Sequence, residues 1–259
     1  MLTISKQQMK QFEALCLGAF VREMKSHCCT LAPQTCASAG QDAVGRFASG
    51  AVDRAIAFGL ETRYAITCFV EAELLLGWDM ARDPQYAWVA EGLMRDGGEA
   101  ARFPRFHDDL DEFYVASRAL DAVYHNERLI TLRDILDYAR CPEGVAVTPE
   151  LCLRLASRMA PLRVAVIEAG PVEALARSVM DQAVFLGIND RDDTLLLFAV
   201  HFEFGRYVLN NPLYPWIADA LTGLPGGVDP QTGRLRRRLH AWLVAAIGDA
   251  ETGGADAVS

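Results

Sequence analysis

Apolar residues recur along the chain at intervals of three and four, the period of a helix with one buried face. Ile4–His27 carries Met9, Phe12, Leu15, Cys16, Ala19, Phe20 and Met24 in one such stripe. Val44–Phe58 repeats the pattern and stops at Gly59, a residue that can take the left-handed conformation closing a helix. The next two long segments, Thr62–Leu76 and Asp190–Phe204, are apolar almost all round, as the central helix of a bundle is. Thr62 and Asp190 are of the types that cap a helix by accepting a backbone N–H, and Gly77 and Gly205 end both segments. Pro84-x-x-x-Trp88 and Pro212-x-x-x-Trp216 predict a turn and a short helix, and Phe106–Tyr124 and Leu235–Ile247 predict amphipathic helices. Thr148-Pro149-Glu150 and Gly170-Pro171-Val172-Glu173 resemble helix starts with proline in the first turn. No segment alternates with period two, so the expected fold class is all-α.

The same pattern occurs twice. Val44–Met94 aligns without a gap onto Val172–Thr222 at a constant offset of 128, with 12 of 51 positions identical. Gly59/Gly187, Gly77/Gly205, Pro84/Pro212 and Trp88/Trp216 are among the matches, and most other pairs exchange one apolar residue for another. This predicts two tandem homologous bundles related by internal duplication. The corresponding division is a first bundle at 1–125, a connector at 126–147, a second bundle at 148–248 and a tail at 249–259. The identical pairs Asp53/Asp181 and Arg63/Arg191 bracket the glycine turn in each half, where acid and base are expected to meet in a structural bond.

Composition narrows the function class. A formal charge of −9 argues against nucleic acid or an anionic membrane as partner, and no apolar run reaches the roughly 18 residues of a membrane span. The polar opening does not read as a signal peptide. Seven cysteines, an odd number absent from matched repeat positions, suggest reduced thiols and a cytoplasmic location.

Four sets of residues carry candidate chemistry. His27, Cys28, Cys29 and Cys36 offer zinc-ligand types but lack the paired spacing of a structural site, so buried thiols are the expectation and no metal or cofactor is assigned. His201 and Glu203 sit two apart on one helix, on different faces, which disfavours joint acid–base work. Asp108, Asp109, Asp111 and Glu112 lack the glycine and spacing of a calcium loop and read as a solvated helix face. Arg234, Arg236, Arg237 and Arg238 form the one concentrated positive stretch. With exposed parts of Trp78, Trp88 and Tyr207, they form a candidate partner-binding surface. The signatures of common hydrolases, nucleotide-binding enzymes and zinc proteases are absent.

One ordered set of residues resembles a known family. Ile4-Ser5-Lys6-Gln7-Gln8-Met9, Phe20-x-x-x-Met24-x-x-His27, Ala55-x-x-x-Gly59-Leu60, Gly77 and Pro84-x-x-x-Trp88 together look like small helical proteins encoded beside VgrG and effector genes of bacterial type VI secretion systems. The resemblance covers about Ile4–Met94; the second half matches only from Val172 onward. It implies a cytoplasmic accessory that works by binding a protein such as an effector or a VgrG-like component, either as chaperone or adaptor or as an immunity protein. Doubling and the Cys28-Cys29 pair depart from the family pattern. The expected form is a pseudo-two-fold monomer or weak oligomer. The alternative is an enzyme, a hydrolase or toxin, using His201 and Glu203 or the cluster at Asp108–Glu112.

Overall fold

The computed structural model describes residues 5–117, 144–188 and 190–221, with 236, 237 and 239–241 from a later helix. The described elements are all helical: α1 Lys6–Leu31, α2 Pro33–Ala39, α3 Gln41–Ala57, α4 Arg63–Leu76, α5 Ala87–Leu93, α6 Glu99–Ser117, α7 Pro149–Met159, α8 Pro161–Ile167, α9 Ala169–Phe185, α10 Arg191–Phe204 and α11 Pro215–Leu221. Short 3₁₀ turns lie at Met80–Arg82, Pro84–Tyr86 and Val208–Asn210.

The helix bounds themselves obey the offset. Both ends of α2, α3, α4 and α5 recur 128 residues later in α8, α9, α10 and α11, and the turn Met80–Arg82 recurs as Val208–Asn210. The correspondence starts earlier than the aligned sequence segment. Helices α1 and α7 end at Leu31 and Met159, and the next residues, Ala32 and Ala160, share an unusual backbone near φ −132° and −144°. Proline then opens both α2 and α8.

Local chemistry explains these bounds. Thr62 and Asp190 accept the amides of Ala65 and Asp193, and Thr148 accepts that of Leu151, as their capping types require. Gly59 and Gly187 take φ +74° and +70°, letting the amides of Leu60 and Ile188 reach back to the carbonyls of Ala55 and Ala183. Helix α9 starts at Ala169, two residues before Pro171, because Glu168 is its N-cap.

Two expectations are corrected. The stripe of α1 is buried only in its C-terminal part. Phe20, Met24 and Cys28 join the core, whereas Met9, Phe12 and Leu15 are exposed at 45%, 64% and 72%. The reason is length: α1 has 26 residues against 11 in α7, so its first turns run past the framework common to both halves. The pairs Asp53/Arg63 and Asp181/Arg191 are not bonded across the turn. Arg63 pairs with Glu23 of α1 and lies over the Phe20 ring, Arg191 donates to the Val145 carbonyl, and both aspartates face solvent. The connector at 126–147 is described only from 144. The end of the helix predicted to Tyr124, most of the helix predicted at Leu235–Ile247 and the tail at 249–259 lie outside the described residues.

The halves share one core. Helix α6 packs on α8, and α9 packs on the Pro84–Tyr86 turn. Apolar side chains of α3, α4, α9 and α10 form a continuous cluster that includes Phe47, Phe69, Leu175 and Phe198. At its centre the C-termini of α4 and α10 meet backbone to backbone. A Cβ on Gly77 would lie 2.4 Å from the Phe204 carbonyl oxygen, and one on Gly205 would lie 3.1 Å from Gly77 Cα. Only glycine permits that approach together with φ of +118° and +92°. Asp83 also ties the halves by accepting the Arg206 amide at 2.5 Å. Among the described residues no helix is long and apolar enough to cross a membrane.

Candidate functional site

The two halves place different chemistry at matched positions. On α3 and α4 the first half has Gly50, Arg54 and Glu73, followed by Trp78; the second half has Ser178, Gln182, His201 and Arg206. In the first half the arginine comes from α3. Arg54 lies 3.6 Å above the Trp78 ring and grips the fully buried Glu73 with two N–H groups, Nε at 2.6 Å from Oε1. Gly50 makes room, since a Cβ there would lie 2.5 Å from the indole. Burial pushes the Glu73 carboxyl up to about 7, against the pull of Arg54. In the second half the arginine sits at the tryptophan position. Arg206 donates to Ser178 Oγ at 2.8 Å and Gln182 Oε1 at 3.0 Å, and its carbonyl accepts His201 Nδ1–H at 2.9 Å.

The first-half corner opens into a basic notch. Arg54, Arg82 and Arg102 line a cavity of about 480 Å³ edged by Phe58, Leu93 and Met94, with Asp79 as its single carboxylate. Arg82 is held by Asp79 at 3.2 Å and lies 5.1 Å from the Tyr207 ring centre, so a residue of the second half backs it. Arg102 donates to the carbonyls of Leu93 at 2.5 Å and Gly59 at 3.4 Å, leaving its buried Nε without a partner. It perches on the glycine turn, where a Cβ at Gly59 would meet it at 2.8 Å. Gln182 and Asn210 replace Arg54 and Arg82 in the second half, and Val184 and Phe185 stand exposed there at 78% and 88%. Chemically, the notch offers guanidinium donors beside apolar surface, a combination suited to a carboxylate-bearing protein segment.

The residues singled out by sequence separate into different surroundings. Glu203 is buried and bonded to Arg163 of α8 at 2.9 Å, whereas His201 is fully buried with Nε2 unpartnered. Burial, reinforced by the Arg206 charge, lowers the His201 pKa to about 3. The two side chains thus have separate partners, Glu203 on Arg163 and His201 on the Arg206 carbonyl. His27 faces Glu71 at 2.5 Å and so links α1 to α4. Cys28 is buried and Cys36 touches Cys29, and burial pushes both the Cys28 and Cys36 thiols up to about 12. Among the described residues no three His, Cys, Asp or Glu side chains converge as a metal site. Asp108, Asp111 and Glu112 are exposed, with Asp111 3.4 Å from His107, while Asp109 is half-buried.

Trp78, Trp88 and Tyr207 are half-buried, not free anchors. Trp78 packs on Phe47, Trp88 stacks on Phe106 and lies tilted against Phe113, and Tyr207 lies between Arg82 and Arg206. Arg237 is exposed and Arg236 half-buried; Arg234 and Arg238 lie outside the described residues. The notch itself was missed, because its arginines come from α3, a 3₁₀ turn and α6. The available signal was asymmetry: Arg54 and Arg82 align with uncharged Gln182 and Asn210. In comparisons with known proteins, no family model, no curated protein and no solved structure matches the chain.

Proposed function

We propose that this chain is a non-enzymatic protein-binding accessory of a bacterial type VI secretion system, acting as effector chaperone or adaptor or as a cytoplasmic immunity protein. The context rests on the resemblance over Ile4–Met94. The binding role rests on one observation: an open notch with three arginines and an apolar edge, whose Arg54 and Arg82 align with uncharged Gln182 and Asn210. Its partner is a protein segment presenting carboxylates beside an apolar side chain.

The chain in this reading is a duplicated helical unit. Matched bounds of α2–α5 and α8–α11 support the duplication, and the backbone contact of Gly77 with Gly205 supports a fused pseudo-dimer. One copy diverged toward binding while the other kept a supporting role. The test is affinity purification from a bacterium that carries the neighbouring secretion genes. Stoichiometric recovery of an effector or VgrG-like protein supports the proposal, and its toxicity with and without this chain separates immunity from delivery. Recovery of the chain alone contradicts it.

A further inference from the structure

A second cavity, of about 320 Å³, lies where α6 of the first half meets the α8–α9 junction of the second. Its wall is aromatic, with Trp88 and Phe113, and its lining carries three carboxylates, Asp109, Glu112 and Glu168. Among the described residues no basic side chain lines it. Gln85 also lines it and is only 2% exposed; its Nε2 donates to Asp83 Oδ2 at 3.3 Å, while the buried Oε1 accepts no hydrogen bond. A buried acceptor left empty is costly unless a donor arrives.

Glu168, the third carboxylate of the lining, sits on an unusual backbone. Its backbone, at φ 67° and ψ 174°, occupies a region that is essentially glycine's, and the matched residue Gly40 takes the same shape at φ 83° and ψ 157°. A carboxylate is thus kept at a strained position beside the cavity. Gln85 of the first half likewise has apolar Leu213 as its counterpart, so each of these two polar groups lacks a polar match in the other half.

We propose that this cavity binds an organic cation, a guanidinium or primary ammonium carried on a short apolar stem. The stem lies on Trp88 and Phe113, the charge faces the three carboxylates, and one N–H satisfies Gln85 Oε1. The volume suits a single side-chain-sized group. The net charge of −9 favours its approach. The cation is either a free amine or an arginine or lysine side chain of a basic segment. This site is separate from the basic notch and does not depend on the secretion-system reading.

Calorimetric titration of the full chain with butylguanidine, and with an acetylated Gly-Arg-Gly amide, tests the assignment; butylurea and the Gly-citrulline-Gly peptide are neutral controls. Saturable binding of either cation, weakened about tenfold or more in its neutral counterpart and in Glu112→Gln, supports the proposal. Preference for the peptide identifies a protein side chain as the source, and preference for butylguanidine a free amine. Glu168→Gly adds a readout that misfolding cannot imitate, because it relieves backbone strain: the melting temperature rises while cation affinity falls. No saturable binding of either cation, or equal binding of cation and neutral isostere, overturns the proposal.

Discussion

Glu73 and His201 occupy the same place in the two halves, 128 residues apart on α4 and α10, yet each is reconciled with burial by a different device. Glu73 is 0% exposed and held by the Arg54 side chain. His201 is also 0% exposed, stays neutral and donates to the Arg206 backbone. The matched pair gives opposite pH dependences within one core.

For Glu73 the folded pKa, about 7, lies above its ordinary 4.5. Its protonation therefore favours the folded state. Its contribution to stability is greatest below pH 4.5 and is lost as pH rises to 7, by about 3 kcal/mol. Urea unfolding at a series of pH values should show the wild type losing ground to Glu73→Gln across that window. Parallel curves would contradict it.

For His201 the folded pKa, about 3, lies below its ordinary 6.5. Its contribution is present above pH 6.5 and is lost as pH falls toward 3, by about 5 kcal/mol. His201→Asn can still donate to the Arg206 carbonyl and does not charge. Its acid-unfolding midpoint should therefore shift to lower pH than that of the wild type.

Gly77→Ala and Gly205→Ala should each cost about 3 kcal/mol, because a methyl at either position collides with the other half's backbone at positive φ. Gly187→Ala, at φ +70° but with open space around it, should cost only about 1 kcal/mol. Denaturant midpoints give the comparison. Equal losses at all three positions would show that the inter-half contact contributes nothing.

Arg163 and Glu203 form a buried ion pair, with side chains 10% and 5% exposed. Removing the acid alone, as Glu203→Leu, should cost about 3–5 kcal/mol by stranding the guanidinium. The double change Arg163→Met with Glu203→Leu should recover most of that loss, since Leu75 occupies the matched site in the first half. A double-mutant cycle measures it.

Much of the helical framework was legible because the signals were local. Thr62, Asp190 and Thr148 each act on an amide three residues away, and Gly59 and Gly187 act through their own φ. The offset was legible from Val44 onward, but its extension to α2 and α8 was not. There the matched features are the backbone shape at Ala32 and Ala160 and the prolines that follow, while the flanking side chains have diverged. The partners of Arg63 were illegible for another reason. Glu23 lies 40 residues away on α1, and only packing brings the two together. The same holds for the notch and for the acidic cavity, whose lining residues are gathered from separate helices.

The arginine notch is proposed to capture an acidic protein partner. The most direct measurement is the affinity of that copurified partner for wild type and for the double variant Arg82→Glu with Met94→Asp, both exposed positions at 68% and 70%. The variant should bind at least about tenfold more weakly with unchanged melting temperature, and the wild-type affinity should fall as salt rises. Equal affinities for the two proteins would contradict it.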